Sequence, residues 1–409
     1  VTVSGYKPTV VFSNGTTGTT NPTMTFTLNK GQSYIIDGKG EIATNTDTFI
    51  GAKIVASKPV NVTNGNFNGQ YAGNLPNGSD ILMDQSVPVN RLGNEFALVK
   101  GNGAIGINME GALVVATENN TQVFLNNEGA PAAILNEGDY YIVPDLKYQL
   151  QGTSHYNLLI RTTKNAYVYQ LLAGIDNASS IATGGFNYIP ALNCYLPKQI
   201  DELGLIDENQ VFSNGNPTGI LNIPTKLNLI TETGAVVLVN GFAPPAGTGP
   251  FPMTGSANWV TYGIPNVAGN ITITSSKAIT AGINAGSDAV GYGGFFPGFP
   301  TTPVILASGG TCIPGIVLTV DPIIYDSYQW FLNGNPIAGA TSNTYTPTIP
   351  GNYSATVTMG SCAPLVALPY KVLKCTVNST ATYTICTSQT INPTFSSPLA
   401  TPASLHRST

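Results

Sequence analysis

One strand–turn–strand pattern, centred on a lysine, occurs three times in this chain and limits what the chain can fold into. Residues 50–65 read IGAKIVASKPVNVTNG, residues 158–174 read LLIRTTKNAYVYQLLAG and residues 271–286 read ITITSSKAITAGINAG. In each, small and β-branched residues alternate on both sides of a turn, the pattern expected of a β-hairpin. The turns fall at Ser57-Lys58-Pro59, Lys164-Asn165 and Ser276-Lys277-Ala278. Their lysines, Lys58, Lys164 and Lys277, are 106 and then 113 residues apart.

Two further landmarks keep the same step. An apolar run, a glycine turn and an aromatic precede each hairpin: TLNKGQSY ending at Tyr34, ILNEGDYY ending at Tyr141 and MTGSANW ending at Trp259. Earlier still come VTVSGYKPTVVFSNG from Val1, LVVATENNTQVFLNN from Leu113 and LNLITETGAVVLVNG from Leu227, each read as another hairpin. Landmarks in the same order at similar steps mark repeated units, here whole β-modules. Val1 falls inside the first strand of its copy, so a longer precursor is expected.

Composition agrees with an all-β fold. The 409 residues include 45 Gly, 29 Pro and 19 Tyr, and only 9% are charged, against about 25% in an ordinary soluble domain. A hydrophobic content of 42% separates the chain from disordered polar sequences. A net charge of −5 without a basic cluster gives nucleic acid nothing to bind. Apolar runs are strand-length, too short to span a bilayer. The expected fold class is all-β: tandem antiparallel β-sandwich modules, three of them related repeats, followed by an Ig-like sandwich.

The expected domains are residues 1–99, a first module with its connector, and 100–209, a second module with its connector. Residues 210–311 form a third module ending in a Gly/Phe/Pro elbow, and 312–375 an Ig-like domain. Residues 376–409 are an extended tail or the start of a further domain. In the Ig-like domain Trp330 and Tyr353 are expected in the core, the tyrosine as a corner residue. A short helix or, equally, a turn is read over residues 197–205, where KQIDELG gathers helix formers.

Candidate chemistry is sparse. His155, in GTSHYN, reads as a turn residue and His406 as part of a polar tail. Cys194, amid apolar residues, reads as a buried free thiol. Cys312, Cys362, Cys375 and Cys386 read as disulfide-forming, paired Cys312–Cys362 and Cys375–Cys386, which implies an oxidising compartment. The acid pairs Asp80/Asp84, Asp201/Glu202 and Asp207/Glu208 would suit a glycosidase only if they faced each other across a cleft; the simpler reading is solvated loops. Asp47, Asp80 and Asp84 are the candidates for calcium, without a recognised loop motif, so no metal and no cofactor are expected. Phe186, Tyr188, Tyr292, Phe295, Phe296 and Phe299 recur in Gly/aromatic/Pro elbows. They serve either as inter-module packing or as a sugar-stacking platform.

KIVASKPVNVTNGN, VPVNRLGNEFALV, VVATENNTQVFLN and LNEGDYY together resemble the IgGFc-binding-protein N-terminal family. GINAGSDAVGYGGFFPGF, TCIPGIVLTV and YQWFLNGNPIAGATSNTYTPTIPGNYSATVTMGSC resemble large secreted surface proteins of gliding, type IX-secreting Bacteroidota, in which that domain precedes PKD- or Ig-like modules. The resemblance covers roughly residues 1–375 and implies an extracellular or cell-surface protein, an adhesin or a filament component. Its partner would be a protein or glycan at a surface, or another copy through the C-terminal strand. The alternative left open is a carbohydrate-binding or polysaccharide-processing module.

Overall fold

Alternating apolar residues make strands throughout, and the computed structural model contains no α-helix among the described residues. These are residues 1–375 apart from 41, 70–79, 102–104, 107–109, 174–183, 207–209, 221–223, 288–289, 297–302, 322–324, 361 and 363. The chain divides into two units, Val1–Pro300 and Thr301–Thr409.

In the first module, β1 (Thr2–Ser4) lies between β2 (Thr23–Thr25) and β3 (Lys53–Val55), while β4 (Val62–Gly69) pairs with β5 (Asp80–Ser86). Its core is small: Val3, Tyr6, Val10 and Phe12, with Phe49 against the last two rings. Every residue of β3 is exposed.

The second module holds β6 (Gly93–Val99), β7 (Gly111–Ala116), β8 (Thr121–Leu125), β9 (Ala133–Leu135), β10 (Tyr140–Val143), β11 (Gln149–Gln151), β12 (His155–Ala173) and β13 (Gly184–Tyr188). The long β12 bends at a bulge between Arg161 and Ala166. Before the bend it pairs with β6, β8 and β11, and after it with β7 and β13. One strand thus serves both layers, as strands that turn sandwich corners do. Phe96, Leu98, Val114, Leu125, Leu158, Ile160 and Val168 fill the space between the layers, all fully buried.

The third module repeats this plan with β14 (Gln199–Ile206), β15 (Gln210–Ser213), β16 (Asn216–Ile220), β17 (Thr225–Glu232), β18 (Val237–Val239), β19 (Phe251–Met253), β20 (Ser256–Ile264), β21 (Gly269–Ser275), β22 (Ile279–Ser287) and β23 (Val290–Phe296). One layer runs β14-β21-β18 and the other β19-β20-β17-β22-β23. Here the corner strand is broken at Lys277, so that β21 and β22 lie in different sheets.

The predicted hairpins are therefore corrected. In all three copies the two arms around the turn lysine pair with other strands and not with each other: β3 with β1 and β4 with β5, the two halves of β12 as above, and β21 and β22 in separate sheets. The earlier landmark behaves alike, since β7 and β8 do not pair, nor do β17 and β18. An arch between facing sheets buries alternate residues as a hairpin does, so period two cannot tell them apart.

Residues 197–205 are also corrected, from helix or turn to the strand β14. Leu203 and Ile206 are buried, three residues apart, because the register against β21 shifts twice, between Ile200 and Leu203 and again before Ile206. Two bulges give a spacing of three that imitates a helix face. The Gly/aromatic elbows turn out to be strands, β13 and β23, for as far as they are described. Gly282 faces Phe295 across the pair, and a Cβ on Gly282 would stand 2.6 Å from that ring.

The second unit contains β24 (Val304–Ser308), β25 (Cys312–Ile313), β26 (Val317–Asp321), β27 (Ser327–Leu332), β28 (Asn335–Pro336), β29 (Thr344–Tyr345), β30 (Gly351–Thr358), β31 (Leu365–Val366) and β32 (Tyr370–Lys374). A sheet β24-β26-β29 accompanies a larger one ordered β25-β32-β30-β27-β28. Trp330 and Tyr353 are fully buried; the indole donates to Ser342 O at 2.9 Å and the phenol to Ile349 O at 2.7 Å, four residues upstream, as a tyrosine corner does. Since β24 pairs with β26, this unit takes in residues ahead of Cys312.

Candidate functional site

A set of buried polar side chains gathers where the second and third modules meet. Around it the seam is apolar: Ala97, Val99 and Leu159 from one module share a cluster with Ile230, Met253, Trp259 and Ala278 from the other. Within this wall Lys100, just past β6, forms an ion pair of 2.8 Å with Glu110, just before β7, and both side chains are sealed from solvent. Lys226 on β17 donates to Lys100 O at 2.8 Å. Burial pushes the Lys226 amine down to about 8, against the opposing pull of Glu110.

Asn228 and Asn284 lie beside the pair. Lys226 stands directly opposite Asn284 in the β17–β22 register, and Asn228 Nδ2 donates to Asn284 Oδ1 at 2.8 Å. Asn228 Oδ1 and Asn284 Nδ2 have no hydrogen-bond partner among the described residues, although both side chains are buried. Leaving such a group unpaired costs about 1–3 kcal/mol. Gly101 supplies the room: a Cβ there would lie 2.4 Å from Glu110 Oε1 and 2.9 Å from Asn284 Nδ2.

A cleft of about 490 Å³ opens beside this cluster, lined among others by Lys226, Tyr156, Phe251 and His155. His155 begins β12 and is not the turn residue expected. Its ring stacks on Phe251 at 4.3 Å and its Nε2 lies 2.8 Å from Thr261 Oγ1. Asn157 donates to that same hydroxyl and to Pro252 O, both at 2.9 Å. Burial, and then the nearby Lys226 charge, push His155 down to about 3, so it is neutral at physiological pH. A neutral imidazole held by a hydroxyl and an aromatic face is a packing element.

The residues singled out from sequence lie elsewhere. Tyr188 is buried against Tyr167 and Tyr169, and Phe186 stacks on Tyr169 at 4.4 Å, nearly parallel. Phe295 packs against both the second module's core and the seam cluster, and Phe296 against the third module's core. Of Tyr292 only the backbone is described, and Phe299 lies outside the described residues.

Asp84 spends its carboxylate on the backbone N–H groups of Gln85 and Tyr188. Asp47 pairs with Lys7 and accepts from the Tyr140 hydroxyl at 2.8 Å; those two hydrogen bonds hold its carboxyl below the usual range. Asp201 and Glu202 are exposed on β14. The Asp80 side chain, Asp207, Glu208 and His406 lie outside the described residues. Among the described residues no three of His, Cys, Asp and Glu gather as a metal site.

The cysteine pairing is corrected. Cys312 is bonded to Cys375, 63 residues on, not to Cys362; β25 lies parallel to β32 and brings their Cα atoms to 5.1 Å. Cys362 is disulfide-bonded as well, and so is Cys194, which is therefore no free thiol. Cys386 lies outside the described residues.

Lys100, Glu110, Lys226, Asn228 and Asn284 escaped sequence reading because none forms a local motif. The available signal was Asn228 itself, a polar residue in the otherwise apolar run LNLI. Among known proteins, the family described as IgGFc binding protein matches residues 1–284. No curated protein matches the chain. Among the described residues no helix is long and apolar enough to cross a membrane.

Proposed function

Because the chain belongs to the IgGFc binding protein family, we propose that it is a non-enzymatic extracellular protein that holds a macromolecular partner at a cell surface, as an adhesin or structural component. The observation that carries this reading is the seam. Two sandwiches share one apolar wall, and the ionisable groups within it are engaged with each other and with backbone. Such an arrangement resists bending and offers a substrate no poised acid and base. Disulfide-bonded cysteines fit an oxidising, extracellular setting. An Ig-like unit after the family region is the arrangement of large secreted surface proteins of type IX-secreting Bacteroidota, and we place the chain among them.

The partner face we favour is on the first module, where Ile54 and Val55 are exposed on the edge strand β3. An open edge beside apolar side chains suits an extended protein segment. Beads coated with the protein should adhere to immobilised extracellular-matrix proteins, and Ile54→Asp with Val55→Asp should abolish adhesion. Turnover of a polysaccharide by the purified chain would contradict the reading.

A second reading, glycan binding, draws on the half-buried Phe186 ring stacked on Tyr169. A glycan array on which binding falls with Phe186→Ala would favour it over a protein partner.

A further inference from the structure

The Asn284 amide stands in the company a condensation reaction needs. Lys100, Glu110 and Asn284 are each nine-tenths buried or more, on three separate segments. Glu110 Oε2 holds the Lys100 ammonium at 2.8 Å, and Glu110 Oε1 and Asn284 Nδ2 both border the space that Gly101 leaves open. The Lys100 backbone is tied to the same sheet, because its carbonyl accepts from Lys226, the register partner of Asn284. Asn284 Nδ2 has no hydrogen-bond partner among the described residues.

We propose that Lys100 and Asn284 are joined by an intramolecular amide (isopeptide) bond, with Glu110 as the proton carrier. Glu110 takes a proton from Lys100 Nζ along their hydrogen bond and leaves a free amine. The amine attacks Asn284 Cγ, whose carbonyl the protonated carboxyl polarises. The new Nζ–Cγ bond forms as the Cγ–Nδ2 bond breaks. Glu110 returns its proton to the departing nitrogen and takes up the second proton that Nζ sheds, which the released ammonia carries away as ammonium. No oxidant or cofactor is consumed, and the nitrogen lost is the one without a partner among the described residues.

Burial favours the change. It replaces an ion pair and an unsatisfied amide nitrogen, both costly away from water, with a neutral amide. The product would bolt the loop after β6 to β22 and so fasten the second module covalently to the third. This function is independent of what the surface binds.

The test is the intact mass of the purified full chain under denaturing conditions, corrected for its disulfides. The expected mass is one ammonia below that of the sequence, with a linked peptide pair containing Lys100 and Asn284. Lys100→Arg and Glu110→Gln should each restore the full mass in protein that still elutes as folded. Asn284→Asp supplies a second signature, since its condensation expels water, and the deficit should change from one ammonia to one water. A full mass in the unmodified chain would overturn the proposal. So would an ammonia deficit that persists in Lys100→Arg, or that maps to a succinimide at an Asn-Gly step or to Lys226.

Discussion

The three modules of the first unit are joined by two seams of different construction. Between the second and third the contact is a continuation of the core: Val99, Leu159, Leu196, Ile230 and Trp259 are buried, with ionised groups sealed inside. Between the first and second it resembles two surfaces docked. Lys53 and Glu137 form an exposed ion pair, Lys7 and Asp47 face Tyr140, and the turn at Gly51 meets the turn at Gly138. An apolar patch of Ile50, Val87 and Tyr140 is only partly covered there. Repeats of one plan can therefore be coupled at different strengths, depending on which side chains stand at the joint.

The largest effect should come from the shared wall. Trp259→Ala removes a buried ring from the seam and should cost about 3–5 kcal/mol. Calorimetry should show the second and third modules destabilised together and the C-terminal unit unchanged. If only one module responds, the wall is not shared.

Next in size is a pH difference between the seams. His155 has a folded value of about 3 against an ordinary 6.5, so between those values the unfolded chain binds the extra proton. The second seam's stability should thus fall steadily as pH drops from 6.5 towards 3, and Thr261-facing His155→Gln should flatten that slope. Asp47 has the opposite kind of shift: its folded value is depressed, so its contribution is present above the ordinary carboxylate value of 3.8 and is lost only as pH falls through the lower folded one. Urea titrations at pH 7 and pH 5 should therefore weaken the second seam and spare the first.

Gly51→Ala tests the first seam. Gly51 has φ +85°, and a Cβ would lie 1.9 Å from Gly138 O. Strain of about 1–3 kcal/mol is expected there, read as faster proteolysis near residue 51 with the other seam unaltered. Smallest of all, Lys53→Ala should cost no more than about 1 kcal/mol, and added salt should erase the difference from the unmodified chain.

Trp330 and Tyr353 were legible because a β-sandwich core takes a buried tryptophan and a tyrosine corner at recognisable places in the strand order. The repeats were legible through the lysine step. Strand pairing was not. Arms that alternate apolar residues around Lys164 or Lys277 bury the same positions whether they pair with each other or face each other across a sandwich. In β14, two bulges converted a period of two into spacings of three. Cysteine connectivity lay beyond reach for a similar reason, since it is topology that brings Cys312 to Cys375. The Lys100–Glu110–Asn284 cluster joins two residues ten positions apart to a third far along the chain, and the shared seam gathers them.

Hydrogen exchange followed by mass spectrometry on the full chain, in mild denaturant, tests the joint most directly. If the second and third modules are one body, peptides covering Leu158–Ile160 and those covering Leu227–Ile230 should open in a single cooperative step, with the first module's Val3 and Phe12 region exchanging earlier. Two separate opening steps for those peptides, at different denaturant concentrations, would contradict the shared core.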